Sequence, residues 1–251
     1  MLNIFKNLIN KIADQMGYSI INNNQKIAEL SKRDNDYIDL VSKFSMTPKI
    51  RIYNLLQALR HLKIKKIDGD YVECGVWKGG NVLLFKKFLE NEDFSQRNIY
   101  AFDTFEGMTN PDENDFEINT NISATKLLKN DKKKETNVWG VCSLENVKKN
   151  ISKYVNNLEN IHFVKGPVEI TLNEAKNIPK KISLLRLDTD WYQSTKKELE
   201  VLYEKVSSGG VIIIDDYGHW GGSKKAVDNF FSDKYVWMHY VDYACRLIIK
   251  D

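Results

Sequence analysis

The chain has 251 residues, of which 42% are hydrophobic and 28% charged, a composition ordinary for a globular protein with room for one large α/β domain. Its net charge of +3 at pH 7 is too small to indicate nucleic acid or an anionic membrane as a partner. Three cysteines without C-x-x-C spacing indicate neither a zinc knuckle nor a disulfide framework, and no apolar run approaches the ~20 residues that span a bilayer. We therefore expect a reduced, cytoplasmic protein without a membrane span.

The first 68 residues are predicted to be helical. Residues 54–62 have a clear amphipathic pattern, and residues 1–9 are amphipathic without a signal-peptide cleavage site. The N-terminal pattern favours a helix on the surface or at an oligomer contact over a peripheral membrane anchor. We expect residues 1–68 to form a helical extension that pairs subunits, which makes the protein a homo-oligomer. Residues 69–251 then form the main domain.

Strands and helices alternate from residue 69 onwards. Strands are predicted at 71–74, 99–102 and 161–164, in two runs that end at Asp188 and Asp215, and at 235–240 and 244–249, where the last two form a hairpin. Helices are predicted near 80–90, 143–155, 194–206 and 223–231. This repeat predicts an α/β fold with a doubly wound, mostly parallel seven-stranded sheet and an antiparallel edge strand. The polar stretch at 108–135 is interpreted as a surface segment and a candidate lid.

Two pairs of aspartates follow buried strands. Asp188 and Asp190 come after the run 183–187, and Asp215 and Asp216 come after the β-branched run 211–214. In open α/β sheets, ligands bind in the crevice outside the carboxyl ends of the strands. Four carboxylates that converge there repel one another unless a cation or shared protons intervene, so a divalent metal site is predicted. The alternative is that each pair caps the helix that follows it.

A glycine-rich turn follows the first predicted strand. Gly75, Gly79 and Gly80 have G-x-x-x-G-G spacing, which matches neither the dinucleotide fingerprint nor the P-loop. Glu73 could accept a hydrogen bond from the ammonium group of a ligand, and Asn81 at the helix start could bind the ligand's carboxylate. The alternative is a plain tight turn.

Asp103 ends the second predicted strand, 28 residues after Gly75, where an acid binds ribose hydroxyls in nucleotide-binding folds. Thr104 and the residues up to Gly107 could line the adenosine side of such a site. The alternative role of Asp103 is a helix N-cap or a turn residue. An amino-acid head together with a ribose indicates S-adenosylmethionine (SAM) rather than NAD as the ligand.

Four blocks of the sequence together resemble one protein family. The blocks are residues 71–80, 102–108, 187–192 and 209–218, and they resemble the macrocin O-methyltransferase (TylF/MycF-type) family, in a match that runs from about Thr47 to Phe231. The resemblance implies a class I SAM methyltransferase fold, which is Rossmann-like. It also implies transfer of a methyl group from SAM to a sugar hydroxyl, with Mg²⁺ as a second cofactor.

The resemblance implies a role for individual residues as well. Asp188, Asp215 and Asp216 would be the metal ligands, and Asp190 would be the general base that takes the hydroxyl proton. The residues implied to hold SAM are Glu73, Gly75, Asp103 and the turn from Phe105 to Gly107, with Ser143, Gly166 and Pro167 near the adenine and Met46-Thr47 folded over the cofactor.

Residues next to the two aspartate pairs are candidates for binding the acceptor: Trp191, Tyr217 and His219. Trp191 or Trp220 could form an aromatic platform under a sugar, and His219 could be a second base or a hydrogen-bond donor. The alternatives are core or pocket walls for the aromatic residues and a solvated loop position for the histidine.

The acceptor is expected to be a small-molecule sugar, nucleotide-activated or destined for a surface polysaccharide. The Lys-, Asn- and Ile-rich composition indicates an AT-rich coding background, which disfavours an antibiotic as the acceptor. Two other functions stay open at this point: a catechol-type O-methyltransferase acting on a small diol, and a SAM-binding module without catalysis.

Overall fold

The computed structural model describes residues 9, 11–13, 15–16, 27–93, 96–130 and 139–251. Its contacts divide the chain into two units, Met1–Ser31 and Lys32–Asp251, and the fold and the site described below belong to the second unit. In the first unit, residues 9, 11–13 and 15 are helical, whereas residues 1–8 of the predicted N-terminal helix lie outside the described residues. Within the described ranges, no helix is long and apolar enough to cross a bilayer.

A seven-stranded sheet forms the centre of the second unit. Its strands are β1 (Asp70–Cys74), β2 (Ile99–Asp103), β5 (Ile161–Lys165), β6 (Ile182–Leu187), β7 (Val206–Ile214), β8 (His239–Tyr240) and β9 (Arg246–Ile249), while β3 (Phe116–Glu117) and β4 (Ile122–Ser123) form a separate hairpin. The order across the sheet is β5–β2–β1–β6–β7–β9–β8. Strand β9 runs antiparallel to both of its neighbours and the other pairs are parallel. The predicted doubly wound, mostly parallel sheet is confirmed.

Burial along the strands explains why the sequence indicated their positions. Every residue of β6 is buried, and so is the run Val211–Ile214 in β7, as expected for central parallel strands that are covered on both faces. The last two strands are shorter than predicted. Strand β8 begins at His239 rather than at residue 235, and β9 begins at Arg246 rather than at residue 244 because a tight turn precedes it. Oδ1 of Asp242 accepts the backbone N–H groups of Ala244 and Cys245, and this local turn displaces strand pairing.

The α-helices of the second unit are α1 (Lys32–Val41), α2 (Lys49–Ile64), α3 (Gly80–Phe88), α4 (Ala124–Asn130), α5 (Leu144–Ser152), α6 (Val168–Thr171), α7 (Tyr192–Leu202) and α8 (Gly221–Phe230). Helices α3, α5, α7 and α8 correspond to the four predicted after residue 69. Helix α5 begins at a local signal in the sequence, because the Ser143 hydroxyl accepts the backbone N–H of Asn146 at 3.3 Å.

Helices α1 and α2, which precede residue 69, belong to the same compact unit as the sheet. On α2, the spacing of Ile52, Leu55, Leu56 and Leu59 gives one apolar face, which is buried against β6 and β7. The compact unit therefore starts at Lys32, ahead of the predicted domain boundary at 68/69. The role of residues 1–68 in pairing subunits stays a prediction.

The polar stretch at 108–135, described up to residue 130, has secondary structure that its sequence did not indicate. It contains β3, β4 and α4, and the buried side chains of Ala124 and Leu128 pack against Trp191 and Trp220. Strands of two residues carry no readable periodicity, so this hairpin depends on tertiary packing rather than on local propensity. The predicted lid role of the segment stays a prediction.

Candidate active site

A cleft lies at the carboxyl ends of β1, β2, β5 and β6. Counted out to its mouth, with the open solvent there included, it encloses about 790 Å³. Met46 and Trp77 line its wall. Eight of the residues predicted from the sequence also line the cleft: Gly75, Asp103, Thr104, Gly107, Gly166, Pro167, Asp188 and Asp190.

Three aspartates meet at the edge of this cleft. Asp188 and Asp215 directly follow β6 and β7, whose last residues are paired in register, and Asp216 comes next. One carboxylate oxygen of each aspartate lies within 4.8 Å of the other two. Oδ2 of Asp216 is buried and has no hydrogen-bond partner among the described residues. Because Mg²⁺ prefers ligand sets made of oxygen, these three residues fit a magnesium ion.

Two buried arginines hold these carboxylates in position. Arg186, which is 1% exposed, contacts Asp188 Oδ2 at 2.7 Å and Asp215 Oδ1 at 2.8 Å. Arg51 on α2 contacts the other oxygen of Asp215 at 2.6 Å and Oδ2 of Asp242 at 2.6 Å. Sequence reasoning missed both arginines. The signal that could have indicated Arg186 is a charged residue inside a buried strand, two positions before Asp188 and therefore on the same face.

Negative charge is distributed unequally over the cluster. Burial alone would raise the pKa of Asp215, but Arg186 and Arg51 hold it below its ordinary value. Burial raises the pKa of Asp216 well above its ordinary value, and the charge of Asp190 adds to this shift. Burial also raises the pKa of Asp190 to about 7, and the Asp190 side chain is hydrogen-bonded to Asp216. Two carboxyls this close together disfavour ionisation of both, in keeping with the direction of the two shifts.

The backbone around Asp190 is strained and well anchored. Asp190 has a φ of +69°, a left-handed conformation that is uncommon for a residue other than glycine and that clusters at functional sites. The carbonyl of the preceding Thr189 accepts the N–H of Trp191 at 2.8 Å, and the Thr189 hydroxyl donates to Oε1 of Glu198 at 2.9 Å. Glu198 is fully buried. The loop between β6 and α7 is thereby fixed on both sides of Asp190.

The aspartate pairs do not cap the helices that follow them. The residues at the N-cap positions of α7 and α8 are Trp191 and Trp220. The first N–H of α7, from Tyr192, is instead bound at 2.8 Å by Oδ1 of Asp115, a buried residue next to the hairpin of β3 and β4. The same Asp115 oxygen lies against Gly222 at the start of α8, where an added Cβ would come within 1.9 Å of it. Sequence reasoning missed Asp115, because its partners are distant in the chain.

The glycine-rich turn after β1 is held between two aspartates. Gly75 has a φ of +90°, and a Cβ there would lie 1.9 Å from the backbone oxygen of Asp188, so only glycine fits this close approach. On the other side, Asp103 Oδ2 accepts the N–H groups of Val76 at 2.7 Å and Trp77 at 2.9 Å. Its Oδ1 accepts the N–H of Phe105 at 2.6 Å. Asp103 therefore fixes two turns, the role that the sequence left open as an alternative, while it also lines the cleft.

Three of the predicted cofactor residues form a polar layer outside the cleft lining. Oε1 of Glu73 accepts from Nδ2 of Asn81 at 3.0 Å and from Arg186 at 2.8 Å. The Thr47 hydroxyl lies 3.5 Å from Nδ2 of Asn81 and 3.4 Å from Nη2 of Arg186. Glu73 is 1% exposed, and its Oε2 has no hydrogen-bond partner among the described residues. Because none of the three side chains lines the cleft, their contact with a cofactor stays a prediction.

Two further predicted cofactor residues have structural positions. Phe105 is buried, and its ring packs edge-on against Phe163 with centroids 6.3 Å apart. Ser143 caps α5 through its hydroxyl. Neither side chain belongs to the lining of the cleft, so any contact of Ser143 with the adenine stays a prediction.

The predicted acceptor residues differ in their surroundings. Trp191 is 2% exposed, packs edge-on against Trp220 with ring centroids 4.9 Å apart, and donates from Nε1 to a backbone oxygen. It is thus a buried wall rather than a platform with a free face, since the segment 108–130 covers it. Tyr217 donates its hydroxyl hydrogen to Asp228 Oδ1 at 2.7 Å. His219 Nδ1 is buried without a partner among the described residues, and burial lowers the pKa of this histidine.

Comparisons with known proteins agree with this architecture. A family model described as Macrocin-O-methyltransferase (TylF) matches residues 2–246. The Demethyldecarbamoylnovobiocin O-methyltransferase of Streptomyces niveus is 31% identical over 180 residues, which are 72% of this chain and 64% of that protein. The 8-demethyl-8-(2,3-dimethoxy-alpha-L-rhamnosyl)-tetracenomycin-C 4'-O-methyltransferase of Streptomyces olivaceus is 29% identical over 167 residues, 66% of this chain and 60% of that protein. The chain thus spans less than two thirds of the length of these relatives.

Solved structures show the same fold. The O-methyltransferase NovP superposes on this chain with a TM-score of 0.70 at 28% sequence identity. The superposition covers 82% of this chain and 82% of NovP. The calicheamicin methyltransferase CalS11 superposes with a TM-score of 0.55 at 16% identity, over 92% of this chain and 99% of that chain. The class I methyltransferase fold expected from the sequence is confirmed.

Proposed function

Because this chain belongs to the macrocin O-methyltransferase family, we propose that it transfers a methyl group from SAM to a sugar hydroxyl with the help of Mg²⁺. The observation that carries the proposal is one juxtaposition. The cleft lined by Gly75 and Asp103 adjoins the oxygen cluster of Asp188, Asp215 and Asp216. A methyl donor and an activated hydroxyl need such neighbouring sites, because the reacting atoms must be held close together and aligned.

SAM is proposed to bind in the cleft at the ends of β1, β2 and β5. Asp103 accepts three backbone N–H groups. The Thr104 hydroxyl also lies 3.4 Å from its Oδ1, but donates its one hydrogen to the Gly107 carbonyl at 2.6 Å. Since a carboxylate has about four acceptor positions, one is available for a ribose hydroxyl. Gly107 and Gly166 would border the adenosine. The unpartnered Oε2 of Glu73 is the acceptor suited to the ammonium group. These features support SAM as the ligand of the cleft.

Mg²⁺ is proposed to be held by Asp188, Asp215 and Asp216, where it would lower the pKa of the acceptor hydroxyl and fix its direction. The chain's own contribution is preorganisation. Arg186 and Arg51 fix both oxygens of Asp215 before any ligand arrives. They also offset part of the negative charge of the three aspartates.

Asp190 is proposed as the general base. Its side chain lines the cleft and lies in hydrogen-bond contact with Asp216, so a hydroxyl held at the cluster would be within its reach. The Thr189 anchor and the left-handed backbone fix its carboxylate there. Proton acceptance by a positioned side chain contributes about 10²–10⁴-fold in rate. Asp190→Asn should therefore lower kcat by that factor while SAM binding is retained.

A sugar is the proposed acceptor because of the activities of two relatives, the first of which concerns a rhamnosyl compound. One acts on a rhamnosyl group at the 4' oxygen, and another is the Mycinamicin III 3''-O-methyltransferase of Micromonospora griseorubida, 28% identical over 167 residues. We further propose that the sugar is nucleotide-activated or part of a surface polysaccharide precursor. A cytoplasmic location is proposed as well, in keeping with the three free cysteines, and a homo-oligomer remains part of the proposal.

The direct experiment incubates the protein with SAM, Mg²⁺ and a panel of sugars, nucleotide sugars and catechols, and detects methylated products by mass spectrometry. Methylation of a sugar compound that stops on chelation of Mg²⁺ would support the proposal. Methylation of catechols alone would favour the catechol-type alternative. SAM binding in calorimetry without transfer to any diol would favour a SAM-binding module.

A further inference from the structure

Arg186 links the two ligand sites of the proposed enzyme. It lies in strand β6, every residue of which is buried, and is 1% exposed. One nitrogen, Nη1, is shared between Glu73 Oε1 at 2.8 Å and Asp188 Oδ2 at 2.7 Å. The other, Nη2, donates to Asp215 Oδ1 at 2.8 Å and lies 3.4 Å from the Thr47 hydroxyl. A single guanidinium thus contacts Glu73 as well as the two aspartates Asp188 and Asp215.

The carboxylates that Arg186 contacts are proposed to bind different ligands. Glu73 belongs to the polar layer that includes Thr47 and Asn81, on the side of the cofactor. Asp188 and Asp215 belong to the metal cluster. A buried guanidinium loses its hydration and must recover that free energy from its ion pairs. How strongly Arg186 holds one partner therefore depends on how strongly it holds the others.

We propose that Arg186 is a positioning residue that couples cofactor binding to metal binding. This inference rests on the proposed function, because it assigns Glu73 to SAM and the aspartates to Mg²⁺. A cation at the aspartate cluster would compete for the Asp188 and Asp215 oxygens that Arg186 now contacts. It would also repel the guanidinium towards Glu73.

The direction of the coupling follows from this geometry. When Nη1 is no longer shared with Asp188, its hydrogen bond to Glu73 strengthens. This favours the ionised form of Glu73 against burial, which raises the pKa of that carboxyl to about 7. A fixed, ionised carboxylate is the better acceptor for the ammonium group of SAM. Mg²⁺ should therefore tighten SAM binding, and by linkage SAM should tighten Mg²⁺ binding by the same factor.

Arg51 provides a matched control. It is also a buried arginine and contacts Asp215 at 2.6 Å, but its second ion pair is with Asp242, away from the polar layer of Glu73. A Lys replacement keeps the charge and removes the bidentate geometry at either position. Arg51→Lys should weaken Mg²⁺ binding and leave the coupling intact. Arg186→Lys can reach one side only, so the coupling should disappear.

The experiment is a titration of the full chain with SAM by isothermal calorimetry, without Mg²⁺ and with saturating Mg²⁺, for wild type and each variant. We expect Mg²⁺ to lower the Kd of SAM by about 5-fold or more in wild type and in Arg51→Lys. In Arg186→Lys the two Kd values should agree within about twofold. Glu73→Gln leaves Arg186 in place and removes the charge of its partner on the cofactor side. This variant should also lose the coupling, and it replaces Arg186→Lys in the experiment if that variant does not fold.

The outcomes separate the inference from the function on which it rests. Wild-type protein that binds neither SAM nor Mg²⁺ would overturn the proposed function itself. Wild-type protein that binds both, with a Kd for SAM that Mg²⁺ leaves unchanged or raises, would overturn only the coupling. If Mg²⁺ lowers the Kd of SAM by the same factor in wild type, Arg186→Lys and Glu73→Gln, Arg186 does not couple the two sites.

Discussion

Replacing Gly75 by alanine tests how closely the turn after β1 approaches the aspartate loop after β6. Gly75 has a φ of +90°, and an added Cβ would lie 1.9 Å from the backbone oxygen of Asp188. The left-handed backbone costs alanine about 1–2 kcal/mol, and overpacking of a close-packed interior costs a further ~1–3 kcal/mol. We expect the free energy of unfolding to fall by about 2–5 kcal/mol.

Gly140 provides the control for the backbone term alone. It also has a positive φ, +55°, but the nearest atoms to an added Cβ are 3.9 Å away. Gly140→Ala should therefore lose only about 1–2 kcal/mol. Urea denaturation followed by tryptophan fluorescence measures both values. Equal losses for the two variants would refute the close approach of Gly75 to Asp188, because the steric part of the cost would then be absent.

Three further predictions concern the supports of the site. Thr189→Val should lower the free energy of unfolding by about 1–3 kcal/mol, because the buried Glu198 carboxyl loses the donor that binds it at 2.9 Å; a change below ~0.5 kcal/mol in urea denaturation would contradict this. Burial raises the pKa of Asp115 from 3.8 to about 6, so the folded state binds the extra proton and stability should fall as pH rises through this window. Asp115→Asn should make that fall shallower in denaturation series across pH 4 to 6, and an identical slope in the variant would count against it. Trp220→Ala should cost about 3–5 kcal/mol, since the ring is buried against Trp191; a loss under ~1 kcal/mol would show that the two rings do not pack as described.

The sheet could be predicted from the sequence because its strands carry strong local signals. The run at 211–214 is β-branched and apolar and reads as a buried strand, and alternation with helical patterns indicates parallel pairing. The hairpin of β3 and β4 could not be predicted. Its strands have two residues each, and they are held by contacts with Trp220 and its neighbours that the local sequence does not reveal.

The candidate site could be predicted in part for the same reason. Asp188 and Asp215 follow strands that are paired in the sheet, so topology alone brings them together. The pairing of Asp215 with Arg51 joins residues 164 positions apart, and no local pattern encodes such a contact. The burial of the Trp191 ring could not be predicted from the sequence either, because it depends on the segment 108–130 that covers the ring.

The central claim is that the aspartate cluster activates a sugar hydroxyl for methylation by SAM. Its most direct test measures methyl transfer by wild type and Asp216→Asn to a sugar acceptor found in the panel, over a Mg²⁺ titration with mass spectrometric detection. The account predicts that wild type forms the methylated sugar only with Mg²⁺, and that the variant loses at least ~10²-fold in rate at every Mg²⁺ concentration while still binding SAM. Equal product formation by both proteins, or full activity of wild type in the presence of a chelator, would contradict it.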